Sequence, residues 1–166
     1  MTAQDDDTLA FAAEDDDGAQ GLPPWTLLVV DDEPDVHAVT RLALHAARFS
    51  GRTVRLISAY SAAEGRRLLA EHPDTALILL DVVMESDDAG LLFVQYVRET
   101  LGNRDVRIVL RTGQPGVAPA RAVVDRYEID DYRTKTELTS ERLHVSVAAA
   151  LRTYALLDAR HRRERA

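Results

Sequence analysis

The sequence predicts a doubly wound α/β fold, a five-stranded parallel sheet flanked by five helices, over residues 25–157. Three observations predict it. Short apolar runs alternate five times with stretches of helical spacing, which means parallel strands joined by right-handed crossovers. The runs Leu27–Val30 and Leu77–Leu80 are apolar at every position, as strands covered on both faces must be. Four of the five runs also stop at, or just before, a polar side chain capable of chemistry: Asp31-Asp32, Asp81, Thr112 and Lys135.

The first strand, Leu27–Val30, halts at Asp31-Asp32. Pro34 then stands where a first helical turn tolerates it, and Val36, Val39, Leu42, Ala43 and Ala46 follow at helical spacing. Val54–Ala59 is the second strand. Ser61, with Glu64 three residues on, is a capping-box pair that opens a helix through about Ala70, closed before His72-Pro73. Leu77–Leu80 is the third strand and Gly90–Thr100 its helix, closed by Leu101-Gly102-Asn103. Arg107–Arg111 leads into Thr112 as the fourth strand, and Arg121–Tyr127 is a short helix after a loop. Ile129–Arg133 is a fifth strand ending just before Lys135. A last helix starts near Ser140 with Leu143, Val147, Leu151 and Tyr154 on one face.

The 166 residues suit one domain with a full core. No apolar run approaches the roughly 18–20 residues of a membrane span, and the start is acidic rather than basic, so neither insertion nor secretion is expected. The absence of cysteine excludes disulfides and thiol chemistry. A cytoplasmic protein is the expectation. Residues 1–24 carry seven acids and no Lys or Arg, an acidic leader whose composition predicts disorder; its one apolar island is Leu9-Ala10-Phe11. Removing those seven from the net charge of -8 leaves about -1 for the rest, which offers nucleic acid no basic face. Residues 158–166 turn basic and suit the end of a helix. The five histidines lack metal-ligand spacing and read as surface or packing residues. Of the 20 basic residues one alone is Lys, at Lys135.

In a parallel sheet the strand ends share one edge, where ligands bind. Three carboxylates gathered there repel by several kcal/mol per close pair at an effective dielectric of about 20. A hard divalent cation offsets that repulsion, and an all-oxygen set suits Mg²⁺. A carboxylate nucleophile beside Mg²⁺, a hydroxyl and an ammonium make a phosphoryl-transfer site. Asp81 is then the attacking group, Asp31 and Asp32 hold the metal, and Thr112 and Lys135 bind phosphoryl oxygens. Singly, Asp or Thr after a strand is better explained as a helix cap. Four such ends, with the chain's single Lys among them, are not.

The segments Leu28-Val29-Val30-Asp31-Asp32-Glu33-Pro34, Leu79-Leu80-Asp81-Val82-Val83-Met84, Leu110-Arg111-Thr112-Gly113 and Tyr132-Arg133-Thr134-Lys135 resemble the receiver domain of bacterial two-component response regulators. The resemblance covers about residues 26–157. It implies the flavodoxin-like strand order 2-1-3-4-5, with Asp81 as phosphoacceptor and Asp31 and Asp32 as the acidic metal pair. It further implies that Val83 gives a backbone carbonyl to Mg²⁺, that Thr112 and Tyr132 are switch residues, and that Lys135 binds phosphate. The implied partner is a histidine kinase or phosphotransfer protein, with a possible homodimer through the helix 4–strand 5–helix 5 face. The acidic leader, the Val-His-Ala-Val-Thr stretch at 36–40 and the Arg-Thr-Gly-Gln-Pro turn at 111–115 resemble a subgroup. Its receivers stand N-terminal in larger HD-type phosphodiesterase or histidine kinase proteins, so a stand-alone receiver and a fragment both remain open.

Two departures stand out. Glu85 replaces the family's usual Pro four residues after the acceptor, in a longer and more acidic loop, where it bears on metal binding and water access. Thr136 replaces the usual Pro after the lysine; a cis bond there would cost about 2.5–4 kcal/mol rather than about 0.5–1. Two other functions compete with this one. An aspartyl phosphatase needs a proton-donating Asp two residues after its nucleophile, and Val83 stands there. A phosphate-independent binding or dimerisation module of a larger signalling protein is compatible with the two departures.

Overall fold

The computed structural model describes residues 21–113, 121–135 and 139–166. Five parallel strands lie in the order β2-β1-β3-β4-β5. They are β1 (Trp25–Val30), β2 (Val54–Ala59), β3 (Leu77–Asp81), β4 (Arg107–Thr112) and β5 (Asp131–Thr134). The helices are α1 (Pro34–Leu44), α2 (Ala62–Glu71), α3 (Ala89–Gln95), α4 (Arg121–Tyr127) and α5 (Ser140–Arg165). The strand order switches direction between β1 and β3, so the crevice of such a fold opens over the ends of those two strands.

Alternation along the strands divides the core into two layers. Leu28, Val30, Ile78, Leu80, Ile108 and Leu110 pack against Leu69 of α2 and Phe93, Val94 and Val97. Trp25, Leu27, Val29, Leu77, Leu79 and Val109 pack on the other face against Leu44 of α1 and Leu143, Val147 and Leu151 of α5. β1 and β3 are buried throughout, as their composition requires. β1 also begins two residues earlier than its apolar run, because Trp25 donates its indole N–H to the Phe49 carbonyl at 2.8 Å and is itself buried.

Several elements differ from the expectation. The apolar spacing of α1 does not mark its buried face: Val39 and Leu42 are 64% and 81% exposed, while His37, Thr40 and Leu44 turn inward. Those two polar side chains find partners there, as described below. The capping pair of α2 is offset. Ser61 Oγ accepts from Glu64 N at 3.1 Å, but the Glu64 carboxylate accepts from Tyr60 N at 3.2 Å instead of Ser61 N. α3 does not run unbroken to Thr100; it passes into a π-helical turn, Tyr96–Thr100, in which Leu101 N donates to Tyr96 O at 2.9 Å. The wider turn changes the phase of the helix. Both Val97 and Arg98 thereby face inward, and the Arg98 guanidinium donates to the carbonyls of Asn103, Val106, Tyr127 and Glu128 at 2.6–3.1 Å. β5 starts at Asp131 rather than Ile129 because Asp130 turns aside, accepting from Ile108 N at 2.7 Å and Arg107 Nη1 at 3.1 Å. The basic segment, by contrast, ends a helix as expected: residues 158–165 belong to α5, a continuous 26-residue helix. Residues 1–20, the loop at 114–120 and Thr136 with its preceding peptide bond lie outside the described residues.

Candidate functional site at the carboxyl edge

Asp31 follows the last residue of β1, and its backbone N–H still pairs with Ala59 O of β2 at 3.0 Å. Asp81 closes β3 in register with Arg111 of β4. Asp31 and Asp81 are 0% and 3% exposed, whereas Asp32 faces solvent. One carboxylate oxygen from each of the three lies within 4.8 Å of the others. Lys135 Nζ reaches across from the end of β5 to Asp81 Oδ2 at 3.3 Å, Asp31 Oδ2 at 3.1 Å and Glu33 Oε1 at 3.1 Å. The contact to Asp31 Oδ2 is close but poorly aligned; the directed hydrogen bond goes to Oδ1 at 3.3 Å, and Oδ2 is left buried without a hydrogen-bond partner among the described residues. Glu33, which the sequence reading passed over, is thus the third acid on the ammonium. Its position directly after Asp31-Asp32 was the available signal.

Burial, and then the neighbouring Asp31 carboxylate, push the Asp81 carboxyl up to about 6; Lys135 and the Val83 N–H oppose them. Burial works against the Lys135 ammonium, but Asp31, Glu33 and Asp81 outweigh it and hold its pKa above the usual value. Asp81 is therefore largely ionised at neutral pH, in a cluster short of positive charge.

The surrounding groups fix these side chains. The Val83 N–H donates to Asp81 Oδ1 at 3.4 Å. Gly90, at the start of α3, donates its N–H to Val82 O at 3.0 Å, and a Cβ on it would stand 2.3 Å from the Asp81 carbonyl oxygen, so only glycine permits this approach. Glu85 turns away from Asp81 and accepts from Ala62 N at 2.8 Å, tying the loop after β3 to the first turn of α2. His37 packs as expected and also engages the site: Nε2 bonds to the Asp31 carbonyl at 2.7 Å and Nδ1 to Ser58 Oγ at 3.0 Å. Thr112 is fully buried at the end of β4, its carbonyl accepting from Lys135 N at 2.7 Å. Tyr132 is half-buried and packs on the layer beneath α3 and α4. All the strand-end residues singled out from sequence thus lie along one edge, with Asp31, Asp32, Asp81 and Lys135 in one cluster and Tyr132 set aside in the packing.

The donor set is wholly oxygen, carries a surplus of negative charge and includes a buried carboxylate oxygen lacking a hydrogen bond, so a hard divalent cation fits it. No helix among the described residues is long and apolar enough to cross a membrane.

No protein-family model matches the sequence. The chain is 52% identical over 131 residues to the 3'3'-cGAMP-specific phosphodiesterase 2 of Vibrio cholerae, a match covering 79% of this chain and 25% of the relative. The chain thus spans about a quarter of the length of that relative. Among solved structures it is similar to a response regulator receiver domain from Clostridium thermocellum (TM-score 0.65, 19% identity, 80% of this chain and 98% of the other). The receiver domain of an HD domain-containing protein from Pseudomonas fluorescens Pf-5 is equally similar (TM-score 0.65, 17% identity, 80% and 98%). The Mn²⁺-bound form of a response regulator also superposes, with TM-score 0.58, 16% identity and coverage of 74% and 89%. With its strand order 2-1-3-4-5 and flanking helices, the chain has the fold of the response-regulator receiver domains.

Proposed function

We propose that the chain is a phosphoryl-accepting signalling switch, with Asp81 as the acceptor and a phosphohistidine on a partner kinase or phosphotransfer protein as the donor. The observation that carries this reading is the buried Asp81 carboxylate, held 3.3 Å from the Lys135 ammonium and beside Asp31 and Asp32. Asp81 attacks phosphorus in line, the P–N bond breaks, and the imidazole nitrogen keeps its electron pair. Asp31, Asp32, Asp81 and the Val83 carbonyl would hold Mg²⁺, which supplies charge neutralisation on the phosphoryl oxygens. The Lys135 ammonium, freed from Asp81, and the Thr112 hydroxyl donate to those oxygens.

Such an exchange gives the edge two arrangements. The new dianion draws Thr112 and Lys135 inward, and Tyr132 repacks in response. To move an equilibrium from 1:99 to 99:1 takes about 5.5 kcal/mol of differential stabilisation, within reach of two charge-assisted contacts made only in the phosphorylated form. The affected surface is α4, β5 and the start of α5, where Val145 is 66% exposed and open to a partner or a second copy. Residues 25–157 form the receiver and the last turns of α5 its exit. The Vibrio cholerae relative supports a cyclic-dinucleotide phosphodiesterase as the kind of output such a receiver governs. Turnover is not its task.

Incubation with Mg²⁺ and acetyl phosphate, read by intact mass, tests the reading. One phosphoryl group is expected on the parent, lost with chelator and in Asp81→Asn. A folded, Mg²⁺-binding protein that takes up none, even from a phosphorylated kinase, would establish the phosphate-independent module instead.

A further inference from the structure

Arg111 is the largest buried group without an assigned task. It stands on β4 beside Asp81 in register, with its side chain on the α1 side of the sheet, and is 4% exposed. Its one hydrogen bond among the described residues, Nη1 to Thr40 Oγ1 at 2.8 Å, is to a hydroxyl that already donates to Val36 O at 2.6 Å. Nε and Nη2 are buried and have no hydrogen-bond partner among the described residues. A guanidinium so placed stays a cation but forfeits most of its solvation, which costs several kcal/mol unless nearby charge offsets it. Burial draws the guanidinium below its ordinary value, and the field of Asp31 and then Asp81 offsets part of that cost through space. Attraction is mutual, so the same field acts on them.

We propose that Arg111 is a positioning residue of the phosphoryl site, a permanent second cation set beneath the acids that favours the phosphoryl group at the expense of metal affinity. The inference rests on the phosphoryl-accepting reading. Charge counting shows the effect. Asp31, Asp32, Glu33 and Asp81 give four negative charges; Lys135 and Arg111 give two positive ones, leaving two negative, which one divalent cation cancels. Without Arg111 the loaded site stays one charge negative, and phosphorylation of Asp81 then adds another. Lys135 is spent on three carboxylates at once, while Arg111 touches none of them through a hydrogen bond and keeps its charge whichever state the edge adopts. Thr40 holds it in place. This accounts for the turn of α1, whose exposed Val39 and Leu42 give up the interior to His37 and Thr40.

The test replaces Arg111 in the full chain and reads two quantities that move in opposite directions. Mg²⁺ affinity is measured by calorimetry, and phosphoryl uptake from acetyl phosphate by intact mass at saturating Mg²⁺. In Arg111→Met, Mg²⁺ is expected to bind about tenfold tighter and phosphorylation to slow about tenfold or more, each at about one pKa unit's worth of field. Arg111→Lys restores both toward the parent. A residue of merely structural importance would weaken both, so unchanged or weaker Mg²⁺ binding in a folded variant overturns the proposal. If Arg111→Met does not fold, Arg111→Gln, which retains a donor for Thr40, is read in the same way. A parent that binds Mg²⁺ but accepts no phosphoryl group would sink the proposed function, and the Mg²⁺ arm alone would then decide the role of Arg111's charge.

Discussion

Replacing Asp81 by asparagine is expected to stabilise the metal-free protein at neutral pH while abolishing phosphoryl uptake. The folded structure raises the Asp81 carboxyl from 3.8 to about 6, because burial and Asp31 outweigh Lys135. Between about pH 4 and 6 the native state therefore binds more protons at this site than the unfolded chain, and stability falls as pH rises through that window. Above pH 6 the whole cost is present: about two pKa units, or about 3 kcal/mol. Asparagine is nearly isosteric and carries no charge, so it removes that cost. Urea unfolding of parent and Asp81→Asn in chelator at pH 7.5 and pH 4 measures it. The variant is expected to be more stable by about 3 kcal/mol at pH 7.5, with the gap nearly closed at pH 4. Mg²⁺ is expected to narrow the gap at pH 7.5 by stabilising the parent through binding to the native state. Equal stabilities at pH 7.5, or a difference unaffected by pH, would refute the claim that Asp81 is held ionised against its surroundings.

Two further substitutions test the framework around it. Gly90→Ala sets a Cβ against the Asp81 carbonyl, where backbone rather than a flexible side chain must yield; a loss of about 2–4 kcal/mol is expected by denaturant unfolding, with weakened Mg²⁺ binding. Arg98→Met strands four carbonyls that a buried guanidinium now serves, and is expected to destabilise by about 3 kcal/mol or more in the same assay without altering Mg²⁺ affinity in the folded fraction.

The strands and the strand-end cluster were legible in the sequence because both follow from short-range rules. An apolar run that stops at Asp is a buried strand emerging at an edge, and a parallel sheet brings all such edges together. The inward face of α1 was not legible. Hydrophobic spacing pointed to Val39 and Leu42, but polar partners from Asp31 just past β1, from β2 and from β4 hold His37 and Thr40 inside. The π-helical turn was hidden for a similar reason, since the carbonyls that draw Arg98 inward come from residues 103–128. Glu85 lay beside the site in the sequence, yet in space it serves α2; nothing local in Met84-Glu85-Ser86 distinguishes a metal neighbour from a cap. Gly90 bore no mark beyond being a glycine at the start of a helix.

The arginine clamp has a mechanical consequence. Arg98 and Arg107 together bind the carbonyls of residues 103–106 and 127–128, in the loop entering β4 and at the end of α4 ahead of β5, on the edge opposite the acids. His161, near the tip of α5, is anchored to Asp105 of the same loop at 2.6 Å. One rim of the sheet is therefore riveted, while the rim bearing Asp81 and Lys135 is joined chiefly through charges that a bound ion or phosphoryl group would rearrange. With its far end pinned, α5 can answer an event at that rim by pivoting more readily than by sliding.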